Sequence, residues 1–398
     1  MPAPTTAPTS LHSKSVERKQ NGNQPATRRH RGGARLNLAL QGGGAHGAFT
    51  WGVLDRLLED EDIEFGRISG TSAGALNGAA LASGFAQGGR AGARKNLEKL
   101  WSQVAQVGVL MSMLLVPLKK PGLGIWDDAM PLLSPYQTNP LSLEPLRSVL
   151  ASVVDETALR SSRAPPLYVN AVNVNTGLSR VFGPAEVSMA TLLASACAPL
   201  MFPAVEIDNE SYWDGSYAGN PMLWPLYEGD EDTDILMVEL TPLVRLGTPR
   251  TAKNILNRIN EIASINGVVA EMRALELVNQ ARLAAGEPRV RMHVLSLPDN
   301  LSDGELEPST KRTVGPLLFD LLRRKGYGAC SKWLAADRGA LGIRSTVDIA
   351  SRYLAPYRHG KDMQAASAPP PALRRTTLKS SPATTIATKA SRQKMALS

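Results

Sequence analysis

The sequence predicts an α/β fold, a three-layer α/β/α sandwich around a mostly parallel central sheet. Two observations carry this reading. Short apolar runs of strand character alternate along the 398 residues with segments whose apolar residues recur at helical spacing. In addition, two glycine-rich turns, Gly42-Gly43-Gly44-Ala45-His46-Gly47 and Gly70-Thr71-Ser72-Ala73-Gly74, each follow a strand and open into an alanine- and leucine-rich helix. With 43% hydrophobic residues the chain can bury one large core or two small ones.

The elements follow in order. Residues 36–40 read as a buried strand and 48–58 as a helix. A weaker strand spans 65–69, and a small-residue helix spans 73–86. Gln87-Gly88-Gly89-Arg90 is a loop, and 93–107 is an amphipathic helix. Residues 108–140 contain Pro117, Pro121, Pro131, Pro135 and Pro140, which break any long element, yet the segment is apolar. It reads either as part of the core or, over 108–133, as a lid that docks on lipid. Residues 143–153 are helical. Residues 166–174 alternate as a strand, turn at Asn175-Thr176-Gly177 and return through 179–182. A helix at 189–197 ends at Ala198-Pro199, and strands are expected at 234–240 and 289–297. Residues 251–285 have a long helical pattern with a break expected at Gly267, and 313–336 holds one or two helices.

The net charge of +8 belongs to the ends of the chain. Residues 1–35 carry a net +6 and residues 357–398 a net +7, which leaves the body, 36–356, at −5. Both tails are rich in Pro, Ser, Thr and Ala and poor in large apolar residues, so they are expected to be disordered. Their cationic clusters suit contact with an anionic membrane surface. No aromatic residues interleave with the basic ones, so nucleic acid is not an expected partner. The two cysteines, Cys197 and Cys330, make no disulfide framework. The N-terminus lacks an apolar leader core, and the longest apolar run is about 12 residues against the roughly 20 that a span needs. A cytoplasmic location is expected. The organisation expected is a basic tail over 1–35, a catalytic unit over 36–228, its continuation over 229–356 and a second tail over 357–398.

Acyl transfer from an ester needs an exposed nucleophile, a base to take its proton, and fixed donors for the oxyanion. Ser72 sits in a G-x-S-x-G turn, where the serine hydroxyl projects from a sharp strand-to-helix bend flanked by Gly70 and Gly74. Gly42, Gly43 and Gly44 leave backbone N–H groups uncovered at the mouth of the next helix, with Gly47 closing the turn. Asp214, in Trp213-Asp214-Gly215-Ser216, offers a carboxylate at a strand end, and Gly215 gives it a tight turn. A phosphate loop is the rival reading of the first turn, but the Lys-Ser/Thr pair of a P-loop is missing, and no second strand ends in an acidic residue. No cofactor or metal is expected. Histidine supply separates two mechanisms. The body contains only His46 and His293. A triad of Ser72, Asp214 and His293 keeps the order of α/β-hydrolases, yet His293 falls inside an apparent strand rather than on a loop. His46, within the glycine turn, is better suited to shaping the site than to acting as a base.

With these three sites assembled, the chain resembles the patatin-like phospholipases. The matching stretches are residues 42–49, residues 70–74, and Asp214-Gly215, together with the serine- and alanine-rich helix end and proline turn of residues 195–205. The resemblance runs from about 36 to 228. It implies a lipid ester substrate and a Ser72–Asp214 dyad that works without histidine, with backbone N–H groups around Gly43 and Gly44 holding the oxyanion. Two positions depart from the family's pattern. His46 stands where the family often has Arg or Lys, and Ser216 replaces a small apolar residue. A silent membrane-binding scaffold of the same fold is the remaining alternative.

Overall fold

The computed structural model describes residues 34–115, 134–138, 143–229, 232–298, 300–301, 304–305, 311 and 315–355. The expectations for the two tails, and for 116–133 of the apolar segment, lie outside these residues.

One eight-stranded sheet organises the chain. Strands β1 (Ala34–Leu40), β2 (Ile63–Thr71), β3 (Leu167–Asn173), β7 (Asp234–Glu239) and β8 (Arg291–Ser296) run parallel in the order β3-β2-β1-β7-β8. Strands β4 (Ser179–Phe182), β5 (Val205–Ile207) and β6 (Glu210–Asp214) add an antiparallel end beside β3. The parallel strands are buried on both faces, as their near-continuous apolar sequences require. Alternate residues feed two cores. Leu36, Leu38, Leu40, Leu236 and Val238 pack on one side, while Ala39, Ile235 and Met237 pack on the other.

Helices α1 (Gly47–Leu57), α2 (Ala73–Leu115), α3 (Glu144–Val153), α4 (Met189–Ser195) and α6 (Pro316–Asp337) supply the first core. Helix α5 (Ala252–Ala285) covers the second through Val268, Met272 and Leu275. Local signals set these boundaries. Ser188 and Thr191 form a reciprocal capping box on α4. Thr251 accepts the Asn254 N–H at the start of α5, and Gly286 at φ 73° ends it.

The structure corrects the expected elements in three places. The break predicted at Gly267 does not occur, because α5 runs through it. Gly267 serves close approach instead: a Cβ there would stand 3.1 Å from Gly219 Cα, on the loop that follows β6. The loop expected at 87–90 survives as a kink in α2 at Gly88 and Gly89, and α2 then runs past 107 to Leu115. The strand ending at Asp214 is expected from the sequence, but its pairing with β5 in a hairpin is not. Its signal is present in the sequence: Asp208 and Asn209 link the two strands and adopt φ 53° and 63°, as a two-residue type I′ turn requires.

Candidate active site

Strand register, rather than sequence proximity, brings Ser72 and Asp214 together. Strand β2 pairs with β3 up to Thr71 opposite Asn170. Strand β4 occupies the other edge of β3 over Val169–Val172, so β6 must take the edge that β2 vacates. The next β3 residue, Ala171, accordingly pairs with Asp214. The last residue of β6 thus stands in line with the end of β2, where Ser72 begins the turn into α2.

Ser72 adopts φ 54°, a left-handed conformation that non-glycine residues seldom take. Its N–H donates to Ser195 Oγ at 2.9 Å, and Ser195 Oγ donates to the Asn170 carbonyl at 2.6 Å. The elbow is therefore tied to α4 and β3 by a fully buried hydroxyl. Asp214 is held by its own N–H, which donates to the Cys197 carbonyl at 2.8 Å, and its Oδ1 accepts the Ser216 N–H at 2.9 Å. The hydroxyls of Ser72 and Ser216 lie near its carboxylate and favour its charged form. Burial pushes the Asp214 pKa up despite these donors.

The glycine turn leaves β1 and crosses the top of this pair. A Cβ on Gly42 would stand 2.7 Å from Ser72 Cβ, 2.8 Å from the Thr71 carbonyl and 2.9 Å from Ser216 Oγ, so only glycine fits against the nucleophile turn. The Gly42 N–H donates to Asn220 Oδ1 at 2.6 Å. The Gly42 hydrogen is thus engaged, and Gly42, Gly43 and Gly44 all line the cavity. Asn220 Nδ2 in turn donates to the Gly42 carbonyl at 3.2 Å and to Ser264 Oγ at 2.7 Å. Gln41 Oε1 accepts the N–H groups of Leu240 and Thr241 at 2.7 and 3.0 Å, which fixes the turn to the end of β7. Gly47, Gly70, Gly74 and Gly215 all lie where the turns press on neighbouring groups: Ala73 Cβ, Ala75, the Leu40 carbonyl and the Asn170 carbonyl, respectively.

A cavity of about 350 Å³ opens over Ser72 and Asp214. One wall is apolar and comes from α2, α3 and α6, with Leu76, Leu100, Trp101, Val104, Leu146 and Phe319. Trp101 and Phe319 meet edge to face at 4.9 Å there. The polar part of the lining comes mainly from α5, with Asn257, Asn260, Glu261 and Ser264.

Neither histidine completes a triad. His293 is fully buried, with Nε2 2.9 Å from Asp234 Oδ1 and Nδ1 3.0 Å from Thr346 Oγ1. Both ring nitrogens are thus occupied, the partner Asp234 begins β7 at the opposite end of the sheet from Ser72, and His293 does not line the cavity. Burial, with Lys311 and Arg245 adding repulsion, lowers the His46 pKa to about 3, so His46 is neutral at ordinary pH. Sequence reasoning missed Asn220, Asn170 and the role of Ser195. Each is a buried side chain with a partner 25 or more residues away. The Asn220-Pro221 pair six residues after Asp214 was the one local hint.

The open α/β sheet thus gathers a serine elbow, a buried carboxylate and a glycine turn at the carboxyl ends of its strands, where open α/β sheets bind ligands. Residues 38–227 match the family model described as patatin-like phospholipase, a similarity that supports lipid acyl hydrolase activity in general. None of the curated proteins matches. Among solved structures, the chain is similar to VipD from Legionella pneumophila, with 14% identity, 76% of this chain and 67% of that one covered, and a TM-score of 0.37. It is also similar to the type III effector protein ExoU, with 16% identity, 75% and 53% covered, and a TM-score of 0.27. The chain spans about half the length of the latter. No described helix is long and apolar enough to cross a membrane.

Proposed function

We propose that this protein hydrolyses carboxyl esters of lipids through a Ser72–Asp214 dyad. The observation that carries the reading is that Ser72, at φ 54°, and the buried Asp214 carboxylate line the same cavity together with a set of apolar side chains. In acylation, Ser72 Oγ attacks the ester carbonyl carbon and Asp214 takes the hydroxyl proton. The Gly43 and Gly44 N–H groups, at the start of the turn into α1, receive the negative oxygen. Collapse of the tetrahedral intermediate breaks the bond to the alcohol, which leaves with the proton from Asp214. Water then repeats the sequence on the acyl-serine, and the fatty acid is released.

An ordinary aspartate, with a pKa of roughly 3.9, is a weak base at neutral pH. Desolvation of Asp214 moves it towards the range in which a carboxylate transfers protons more readily. The apolar wall suits an acyl chain, which supports lipid esters over small polar ones.

The test is steady-state hydrolysis of a medium-chain ester by the parent, Ser72→Ala and Asp214→Asn. Each variant is expected to lose about 10³-fold or more in kcat, since the two groups act as a unit. A fluorophosphonate should label the parent and not Ser72→Ala. Absence of labelling in folded parent protein would favour a silent scaffold, and retained activity in Asp214→Asn would remove the dyad.

A further inference from the structure

The apolar part of the cavity has a fixed depth below the nucleophile. Helix α2 folds back on itself at Gly88 and Gly89, and its two arms pack antiparallel. Gly84 meets Gly92, where a Cβ on Gly84 would stand 2.5 Å from the Gly92 carbonyl. Further from the kink, Trp101 Nε1 donates to Asn77 Oδ1 at 3.0 Å. The two pairs are nearly symmetric about the kink, so the same register sets Val104 level with Ala73, beside Ser72, and sets Leu100 and Trp101 level with Leu76 and Asn77. The first arm leaves Ser72 and runs back along the sheet against β2. From α2, Ala73, Leu76, Leu100, Trp101 and Val104 line the cavity. One turn further from Ser72, Ala79, Ala80 and Leu97 are fully buried and do not line it. The cavity therefore stops at the level of Leu76 and Trp101.

The indole of Trp101 has no room to retreat. Asn77 Nδ2 donates to the Gly47 carbonyl at 3.1 Å and to the Ala73 carbonyl at 2.9 Å, which fixes the amide that holds Nε1. A Cβ on Gly47 would stand 2.9 Å from Trp101 Cζ2, so the six-membered ring presses on the start of α1. Phe319 meets the indole edge to face at 4.9 Å. Depth then converts to chain length. Leu76 stands one turn beyond Ser72, about 6 Å along the helix at roughly 1.5 Å per residue. An extended chain advances about 3.3–3.6 Å over three bonds, so about five bonds span that depth. An acyl chain that leaves the Ser72 ester in this direction meets Trp101 with about its sixth carbon.

We infer that Trp101, locked by Asn77, closes the acyl end of the cavity and restricts the enzyme to short acyl chains of about six to eight carbons. The inference rests on the hydrolase reading above and deepens it by naming the acyl length. Up to the limit, each added methylene enters an apolar crevice and raises kcat/KM about fourfold. Past it, further carbons must displace a packed indole or turn back towards the mouth, so the gain stops. Overfilling a packed wall of this kind is unfavourable in itself.

The experiment compares full-length parent, Trp101→Phe and Trp101→Leu on p-nitrophenyl esters of four, six, eight and ten carbons, each kept below its micellar concentration. In the parent, kcat/KM is expected to climb up to six or eight carbons and to drop about tenfold at ten, a profile that needs no variant to fold. Trp101→Phe and Trp101→Leu, which free part of the indole's volume, are expected to raise the ratio of ten- to six-carbon kcat/KM about tenfold. A purely structural role would lower activity on every ester alike and leave that ratio where it was. A parent profile that keeps climbing to ten carbons overturns the proposal. So does a ratio within twofold of the parent in both variants, with their folding checked by circular dichroism. A parent that hydrolyses none of the esters refutes the hydrolase reading instead. The length limit is then read by calorimetry of hexanoate and decanoate with the parent. Hexanoate is expected to bind about tenfold more tightly, and equal or tighter binding of decanoate overturns the limit.

Discussion

Gly42→Ala is the substitution that tests most directly whether the glycine turn positions the nucleophile. The backbone imposes no torsional penalty, because Gly42 is not among the positive-φ glycines. The cost is steric. The added methyl would stand 2.7 Å from Ser72 Cβ, whereas ordinary contact begins at 3.4 Å, so the two chains must part by 3.4 − 2.7 = 0.7 Å. Relief by moving away from Ser72 alone does not suffice, since the Thr71 carbonyl at 2.8 Å and Ser216 Oγ at 2.9 Å close the other directions. Overpacking of this kind costs about 1–3 kcal/mol. A shift of that size in a nucleophile or its oxyanion donors is worth on the order of 10- to 100-fold in rate. The expected outcome is a fall of that size in kcat with a smaller change in KM, because the apolar wall is untouched. Gly88→Ala, where nothing lies within 4 Å of the new methyl, is the control. Steady-state kinetics on a soluble ester, with thermal unfolding in parallel, decides the matter. If Gly42→Ala keeps kcat within threefold of the parent at an unchanged Tm, the turn does not hold Ser72 in place.

Three further outcomes follow from the same geometry. Asp214 must be ionised to act as base, and burial raises its pKa, so log kcat/KM should fall on acidification through a pKa above the ordinary carboxylate value of roughly 3.9. The raised pKa means that ionised Asp214 costs stability, a cost absent below the unfolded pKa and incurred as pH rises through the folded one. Asp214→Asn should therefore raise Tm at pH 7 and lose that gain below about pH 4; an unchanged or lower Tm at pH 7 would refute it. His293→Ala, by contrast, should act on stability. It empties a fully buried site and strips Asp234 Oδ1 and Thr346 Oγ1 of a partner, costing about 2–4 kcal/mol, while the folded enzyme keeps most of its kcat. Loss of activity as deep as that of Ser72→Ala would reinstate the triad.

The sequence by itself determined the strand–turn–helix units and the residue types at their turns. These depend on contacts within a few residues: glycine where a turn meets its neighbours, an alternating or helical apolar pattern on either side. Strand β1, helix α1 and the Ser72 elbow were therefore legible, as was the parallel sheet that their alternation implies. Tertiary structure alone decided what depends on register between distant segments. Strand β6 fills the edge of β3 that β2 leaves, which sets Asp214 beside a serine 142 positions earlier. Asn220 takes the Gly42 N–H from 178 residues away, which the glycine run alone does not reveal. Gly267 reads as a helix break until Gly219 is packed against it. The sequence already set His293 inside a strand, and the fold alone shows Asp234 and Thr346 at its two nitrogens. The division has one physical cause. A turn's conformation is a property of the residues in it, whereas the partner of a buried polar group is whichever side chain the sheet order delivers to it.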